Sequence, residues 1–374
     1  MKKYFYPLVD NPYRKKDIIQ AIKVLKSSKI TSGPKTLEFQ EKFKKKIKTN
    51  FSLLVNSGSS ANLLALQCLI NPYRKKRLKQ GDEILIPSLC WSTSLWPIIQ
   101  SGLKPKFIDV EKETLNIDLK ELKKKISKKT KGIMLVHVLG NCTNMDELMK
   151  ILKKKKIILV EDTCESIGSK YKNKYLGTFG EFSSFSFYSS HQISSGEGGM
   201  VTCRNQDDYE ILKSLRAHGW SRGLKTEKKI SKQNKHLDSR FIFFNSGFNL
   251  RPTDISASIG LSQFNDMRNF ISIRNKNRDI IVKALKKNKL INDNFHFIEA
   301  NKNVKPSWFG IPIYIKNKLN RKKFIMKLEK RGVETRPIIS GNFIKQPSVK
   351  KYKLLVNSKF LNSDVVNDHG FFIG

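Results

Sequence analysis

Residues 157–192 read IILVEDTCESIGSKYKNKYLGTFGEFSSFSFYSSHQ. Four apolar residues, Ile157–Val160, run straight into Glu161 and Asp162. A short apolar run that ends in charge has the pattern of a strand buried on both faces. A hydroxyl-rich second strand follows over 183–188 and enters a polar turn that holds His191. In open α/β sheets, ligands gather where strands end at their carboxyl side. An aspartate at such a place can pair with a protonated ring nitrogen of a ligand. A solvated strand end or a helix cap would explain Asp162 equally well. A lone histidine is usually structural or superficial, but one in a loop after a strand has a stronger claim to function.

Working outward, the same alternation continues on the amino-terminal side. Apolar runs at 51–55, 83–87, 105–110, 132–138 and 156–161 are separated by helical spacing at 58–70, 92–100, 118–126 and 144–153. Helical spacing also precedes them at 17–27 and 36–47. Strands alternating with amphipathic helices predict an α/β fold with a mostly parallel mixed sheet between helices. On the carboxyl-terminal side a helix at 257–264 leads into a long helical stretch ending near 287. Segments 307–315 and 321–331 then predict a smaller α+β domain. The division is a large domain over 1–265 and a connecting helix with the small domain over 266–374.

The chain has 374 residues and a formal net charge of +40, from 72 Lys+Arg against 32 Asp+Glu. That excess would suit a nucleic-acid or anionic-membrane binder. Here the lysines are spread along the whole chain in short helical clusters, with no basic arm and no basic patch interleaved with aromatics. A solvated lysine-rich surface is the better account, and its charge can steer an anionic diphosphate. The five cysteines, Cys68, Cys90, Cys142, Cys164 and Cys203, are scattered without a C-x-x-C pair. Free thiols in a reducing cytoplasm are therefore expected, and neither a metal site nor a disulfide framework. Residues 1–10 lack the apolar core of a signal peptide, and no apolar run is long enough for a membrane span.

A third motif is Asn56-Ser57-Gly58-Ser59-Ser60-Ala61-Asn62, between a strand and an apolar helix. Its amides would point from the helix N-terminus, where a phosphate binds well. A plain Gly/Ser helix cap is the commoner use of such a sequence.

Taken in order, ITSGP, SGSSAN, EDTCESIGSKY, GTFGEFSSFSFYSSH, GEGGMV, LRAHGW and GFNLRPTDISASIGLSQF resemble the DegT/DnrJ/EryC1/StrS sugar aminotransferase family. These are fold-type-I pyridoxal-phosphate enzymes, and the resemblance covers nearly the whole chain. It implies that Gly58, Ser59 and Ser186 hold the cofactor phosphate. It also implies that Trp91 stacks on the ring, that Asp162 pairs with the ring nitrogen, and that Glu165 lies near the ring hydroxyl. Asn249 matches a residue that reaches the phosphate of the other subunit, which implies a homodimer with shared active sites.

One departure decides the chemistry. Members that transfer amines carry, five residues after the phosphate serine, the lysine that tethers the cofactor. Here that position is His191, and no lysine lies between Lys174 and Lys213. Histidine cannot form a Schiff base, so pyridoxal or pyridoxamine phosphate must be held non-covalently. The substitution resembles the 3-dehydratase branch, which removes the C3 hydroxyl of a nucleotide-linked 4-keto-6-deoxyhexose and takes its amine from glutamate. His191 is then the acid/base, suited by a pKa near neutrality. Part of that branch uses an iron–sulfur cluster whose cysteines follow the segment matching Leu215–Trp220. Residues 221–249 hold no cysteine, so the cluster-free subclass fits.

His218 is a second catalytic candidate, near the sugar or merely capping a helix. Arg251 could meet a diphosphate or an ion-pair partner. His137 reads as a satisfied core residue. In the family, the phrase at 369–374 is followed by a closing helix, so Phe371 and Phe372 are expected to lose cover. The competing functions are a sugar aminotransferase that uses another lysine, a cofactor-binding regulator without turnover and, more distantly, a nucleic-acid binder. The identity of the nucleotide does not follow from the sequence.

Overall fold

The computed structural model describes residues 4–316, 319–356 and 358–374; Met1–Lys3, part of the stretch read for a signal peptide, lie outside them. Seven strands make the large sheet: β1 (Phe51–Val55), β2 (Glu83–Pro87), β3 (Lys104–Ile108), β4 (Thr130–Val136), β5 (Ile158–Asp162), β6 (Phe182–Ser186) and β7 (Gly199–Cys203). Their order is β1-β7-β6-β5-β4-β2-β3. Only β7 runs against its neighbours; all other pairs are parallel. The mostly parallel mixed sheet is thus as the alternating pattern requires. Successive residues of each strand point to opposite faces. Leu53, Ile84, Ile86, Met134, Val136 and Val160 enter one core, while Leu85, Ile133, Leu135 and Leu159 enter a second on the other face.

Nine helices matter for the site's placement. They are α1 (Lys15–Lys26), α2 (Pro34–Ile47), α3 (Gly58–Ile70), α4 (Ser92–Gln100), α5 (Leu119–Lys125), α6 (Met145–Lys155), α7 (Gln206–Arg216), α8 (Asp254–Asn265) and α9 (Met267–Lys286). α3 is apolar all round, because it is buried against β6, β7, α4 and α7. Asp254 begins α8 and accepts bonds from the Gly33, Lys35 and Thr36 amides, which ties the start of α2 to α8. A carboxylate at a helix N-terminus is favoured by the orphan amides there.

A second sheet contains β8 (Phe295–Phe297), β9 (Ile311–Ile315), β10 (Thr335–Arg336) and β11 (Gly370–Ile373), all antiparallel, in the order β8-β9-β11-β10. The expectation that Phe371 and Phe372 lose cover is wrong. They are 1% and 6% exposed. The reason is that β11 pairs on both sides, so each ring has a packed face to enter. Phe371 meets Phe324 at 6.0 Å and Phe372 meets Phe309 at 5.9 Å. Among the described residues no helix is long and apolar enough to cross a membrane. All five cysteines are free, and among the described residues no cluster of His, Cys, Asp or Glu suits a metal ion.

Candidate active site

β5 ends with two carboxylates that alternate faces. Glu161 turns into the protein, where it accepts bonds from His137 Nε2 (2.9 Å) and the amides of Gly177, Phe179 and Gly180 (2.9, 2.7 and 2.6 Å). Burial pushes this carboxyl up, but the His137 bond and the amides outweigh it and leave it below the usual range. His137 is fully buried, as the sequence suggested, although its Nδ1 has no protein partner among the described residues. Asp162 turns the other way, into a cavity of about 740 Å³, a size typical of small-molecule sites. Its Oδ2 accepts from Asn62 Nδ2 (2.8 Å) and Ser94 Oγ (2.7 Å), donors on α3 and α4.

The cavity lies at the carboxyl ends of β1, β4, β5 and β6, where the parallel sheet opens. Gly58, Ser59, Trp91, Asp162, Glu165, Ser186 and His191 all line it. α3 starts there. Ser57 caps it, its Oγ accepting from the Ser60 amide at 3.1 Å, and the Gly58 and Ser59 amides have no acceptor among the described residues. Gly58 is required by close approach, since a Cβ there would lie 2.6 Å from Ser186 Cβ. Gly199 similarly lets β7 begin beneath the Ser57 carbonyl, 2.3 Å from where its own Cβ would stand. These contacts press the helix start, Ser186 and β7 into one cradle with free donors, a fit for a phosphate.

His191 follows β6 by one turn, its amide bonded to the Tyr188 carbonyl at 2.9 Å. Its Nδ1 is 2.8 Å from the Cys164 carbonyl oxygen. A carbonyl only accepts, so Nδ1 carries the hydrogen and Nε2 keeps its lone pair. Nε2 has no protein partner among the described residues. The ring stands edge-on to Phe309 at 5.1 Å and to Tyr188 at 6.0 Å. Burial pushes its pKa down to about 4. The near-neutral imidazole expected from sequence is therefore corrected: desolvation disfavours the cation, and the free site holds a neutral ring. The group brought near neutrality is Glu165, whose carboxyl burial pushes up to about 7. Its Oε2 accepts from the Leu139 amide at 3.1 Å.

His218 and Asn249 do not join this cavity. Both are exposed, and Arg251 joins them, reaching Asn249 Oδ1 at 3.1 Å and His218 Nε2 at 3.3 Å. Arg251 has no carboxylate partner among the described residues. Sequence reasoning also missed residues the structure adds. Asn62 and Ser94 orient Asp162, and both sat within reach, one in the SGSSAN motif and one three residues past Trp91. Phe309 and Arg336 line the cavity from the far carboxyl-terminal part, where nothing in the local sequence marked them.

Comparison with known proteins adds three findings. A model of the DegT/DnrJ/EryC1/StrS aminotransferase family matches residues 12–372. The GDP-4-keto-6-deoxy-D-mannose 3-dehydratase of Escherichia coli O55:H7 is 36% identical over 374 residues, covering 99% of this chain and 95% of that one. Two solved structures of GDP-4-keto-6-deoxymannose-3-dehydratase superpose with a TM-score of 0.91, each covering 99% of this chain and 95% of the other. One holds a trapped PLP-glutamate geminal diamine and is 36% identical. The other, a variant with bound GDP-perosamine, is 35% identical.

Proposed function

We propose, for a chain that belongs to the DegT/DnrJ/EryC1/StrS aminotransferase family, that it is a pyridoxal/pyridoxamine-phosphate-dependent 3-dehydratase of a nucleotide-linked 4-keto-6-deoxyhexose, with glutamate as amine donor. The observation that carries this reading is His191. It stands where the tethering lysine would be, on the cavity wall, with Nε2 unprotonated and unpartnered. The relatives named above put a GDP-linked sugar first among substrates. The setting is deoxysugar synthesis for surface polysaccharide in the cytoplasm.

The residues fit the cofactor. The Gly58 and Ser59 amides and Ser186 would hold its phosphate, and Trp91, 56% exposed at the cavity rim, would cover its ring. Asp162, oriented by Asn62 and Ser94, would hold the ring nitrogen, with Glu165 beside the ring hydroxyl. When bound, pyridoxamine phosphate supplies the amine that condenses with the 4-keto group and the electron sink that loosens the C3–oxygen bond. His191 then moves the proton: Nε2 takes one and can return it to the departing hydroxyl, while the Cys164 carbonyl keeps Nδ1–H fixed. Having no primary amine, His191 cannot recapture the cofactor, which favours elimination over amine transfer. Arg336 presents a guanidinium at the wall, suited to a carboxylate of glutamate.

In this reading the cofactor site belongs to a large domain over 1–265, with a connecting helix and small domain over 266–374. The molecule is a homodimer in which Asn249, with His218 and Arg251 beside it, serves the partner's site. Hybrid dimers test this. Mixing inactive His191→Asn and Asn249→Ala chains should restore one intact site per hybrid, and no restored activity would refute sharing.

The decisive test of function is mass-spectrometric product analysis with several nucleotide-linked 4-keto-6-deoxy sugars plus glutamate. A dehydratase yields a sugar lighter by one oxygen, with 2-oxoglutarate and ammonia. An amino sugar as sole product, or a lysine adduct trapped by borohydride, would overturn the reading.

A further inference from the structure

The least expected contact of His191 comes from residues 306–309, a strap without regular secondary structure just before β9. Nearly every backbone group of the strap is bonded to a different part of the protein. Asn275 on α9 donates to the Pro306 carbonyl at 2.8 Å and accepts from the Trp308 amide at 3.3 Å. The Ser307 amide donates to Ser169 Oγ at 2.9 Å, and the Ser307 carbonyl accepts from Gln192 Nε2 at 3.1 Å. The Phe309 amide donates to the Leu139 carbonyl at 3.2 Å, and its carbonyl accepts from Arg274 Nη1 at 3.0 Å.

Two strained or crowded positions accommodate the strap. Leu139 is fully buried with φ of 49°, a conformation unfavourable for a branched residue that persists only where surroundings enforce it. Its amide meets Glu165 while its carbonyl meets Phe309. Gly140 follows with φ of 97°, and a Cβ there would lie 2.4 Å from the Ser307 carbonyl oxygen. One turn thus grips both the near-neutral carboxyl and the ring that stands against the imidazole. Gln192, the neighbour of His191, is held to Ser307 and to the Glu165 carbonyl in the same way.

We propose that Phe309, presented by the 306–309 strap, is a positioning residue for His191: it fixes the plane of the imidazole and keeps water from its outer edge. The geometry is the edge-on contact at 5.1 Å with 86° between the rings, on a side chain held at both backbone ends. Edge-to-face pairs at such distances are favourable and directional. With Nδ1 pinned to Cys164, the Phe309 contact restrains the remaining rotation of the ring. The charged and titratable groups around His191 are Asp162 at the end of β5, Cys164 and Glu165 after it, Tyr188 on its own turn, Arg274 from α9, and Glu197, Glu334 and Arg336 elsewhere on the cavity wall. None of them is altered by replacing Phe309.

This rests on His191 being the base, and the test separates the two ideas. His191 is followed by NMR in the holoenzyme without substrate, assigned by comparison with His191→Asn. In Phe309→Ala, water reaches the ring, so its titration should move up from about 4 by at least about one pH unit. The same variant should lose kcat by roughly tenfold to a hundredfold through misorientation, with KM for the nucleotide sugar nearly unchanged and the acid limb of the rate profile shifted upward. Phe309→Tyr keeps the ring and should restore both. Folded Phe309→Ala with an unmoved His191 titration and native kcat overturns the proposal. If Phe309→Ala fails to fold, Asn275→Ala loosens the strap from outside the cavity. A smaller shift in the same direction is then expected, and none overturns the strap's role. Should the native protein lack dehydratase activity, the functional reading falls while the NMR titration still decides the positioning claim.

Discussion

On one face of β5, His137 and Glu161 meet in the buried interior, and every lone pair of the carboxylate is met by the imidazole or an amide. On the other face, Asp162 also takes four donors, Asn62 and Ser94 on Oδ2 and the Cys164 amide and Ser184 on Oδ1, but it lines the cavity, and His191 there is held at Nδ1 with Nε2 free. Each face sets a carboxylate and a histidine; what differs is access to the cavity. A buried polar group with all its partners is part of the frame, because disturbing it leaves charge or donors uncompensated. A group fixed by one atom and free at another can exchange a proton or a ligand. His137 also keeps an unpartnered Nδ1, but it does not line the cavity, so chemistry is located by a free valence that faces the cavity rather than by residue identity.

The largest expected break of this comparison is His191→Asn. Turnover should fall by roughly a hundredfold to ten-thousandfold, the usual share of general acid–base catalysis, while cofactor absorbance and binding stay nearly native. Full activity in this variant would remove the reason for setting the two faces apart. Glu161→Ala should act on the frame instead. Three amides and His137 lose their acceptor, and unfolding in urea should show a loss of about 3–5 kcal/mol. Activity per folded molecule should be retained, and a selective loss of turnover would mean that the inner face takes part in catalysis.

The smallest and sharpest effects are in the pH dependence of stability. His191 is depressed from 6.5 to about 4, so the unfolded chain binds more protons across that window. Its contribution is present above 6.5 and is lost as pH falls through 4. Glu165 is raised from 4.5 to about 7, so its contribution is present below 4.5 and is lost as pH rises through 7. Denaturant midpoints across this range should lose the rising component in His191→Asn and the falling component in Glu165→Gln. Identical profiles in all three proteins would show that neither group is desolvated as described.

Much of the large sheet was legible because each strand carries its own signal. Strand Phe51–Val55 and helix Gly58–Ile70 are bounded by Asn56 and Ser57, a turn whose residue types state its conformation. Asp162 and His191 were legible as strand-end and loop residues, whereas the role of Ser186 and the missing lysine were legible only through the family resemblance. Three features were not legible. The cover of Phe371 and Phe372 depends on pairing with residues far away in the chain. The depressed pKa of His191 depends on burial, which no local pattern expresses. Phe309 sits in a strap whose sequence has no periodicity and whose position comes from Asn275, Ser169, Leu139, Arg274 and Gln192.

By itself the sequence determined the α/β plan, the order of the site segments and the histidine at 191, which the family resemblance sets where a tethering lysine is otherwise found. These are local properties: periodicity, turn chemistry and residue identity at a spacing are carried by neighbours in the chain. Only the tertiary structure decided which of Glu161 and Asp162 meets the cavity, which nitrogen of His191 is free, and which ring holds it in place. Those outcomes depend on burial and on hydrogen-bond partners that arrive from distant segments, and they exist only once the chain has packed.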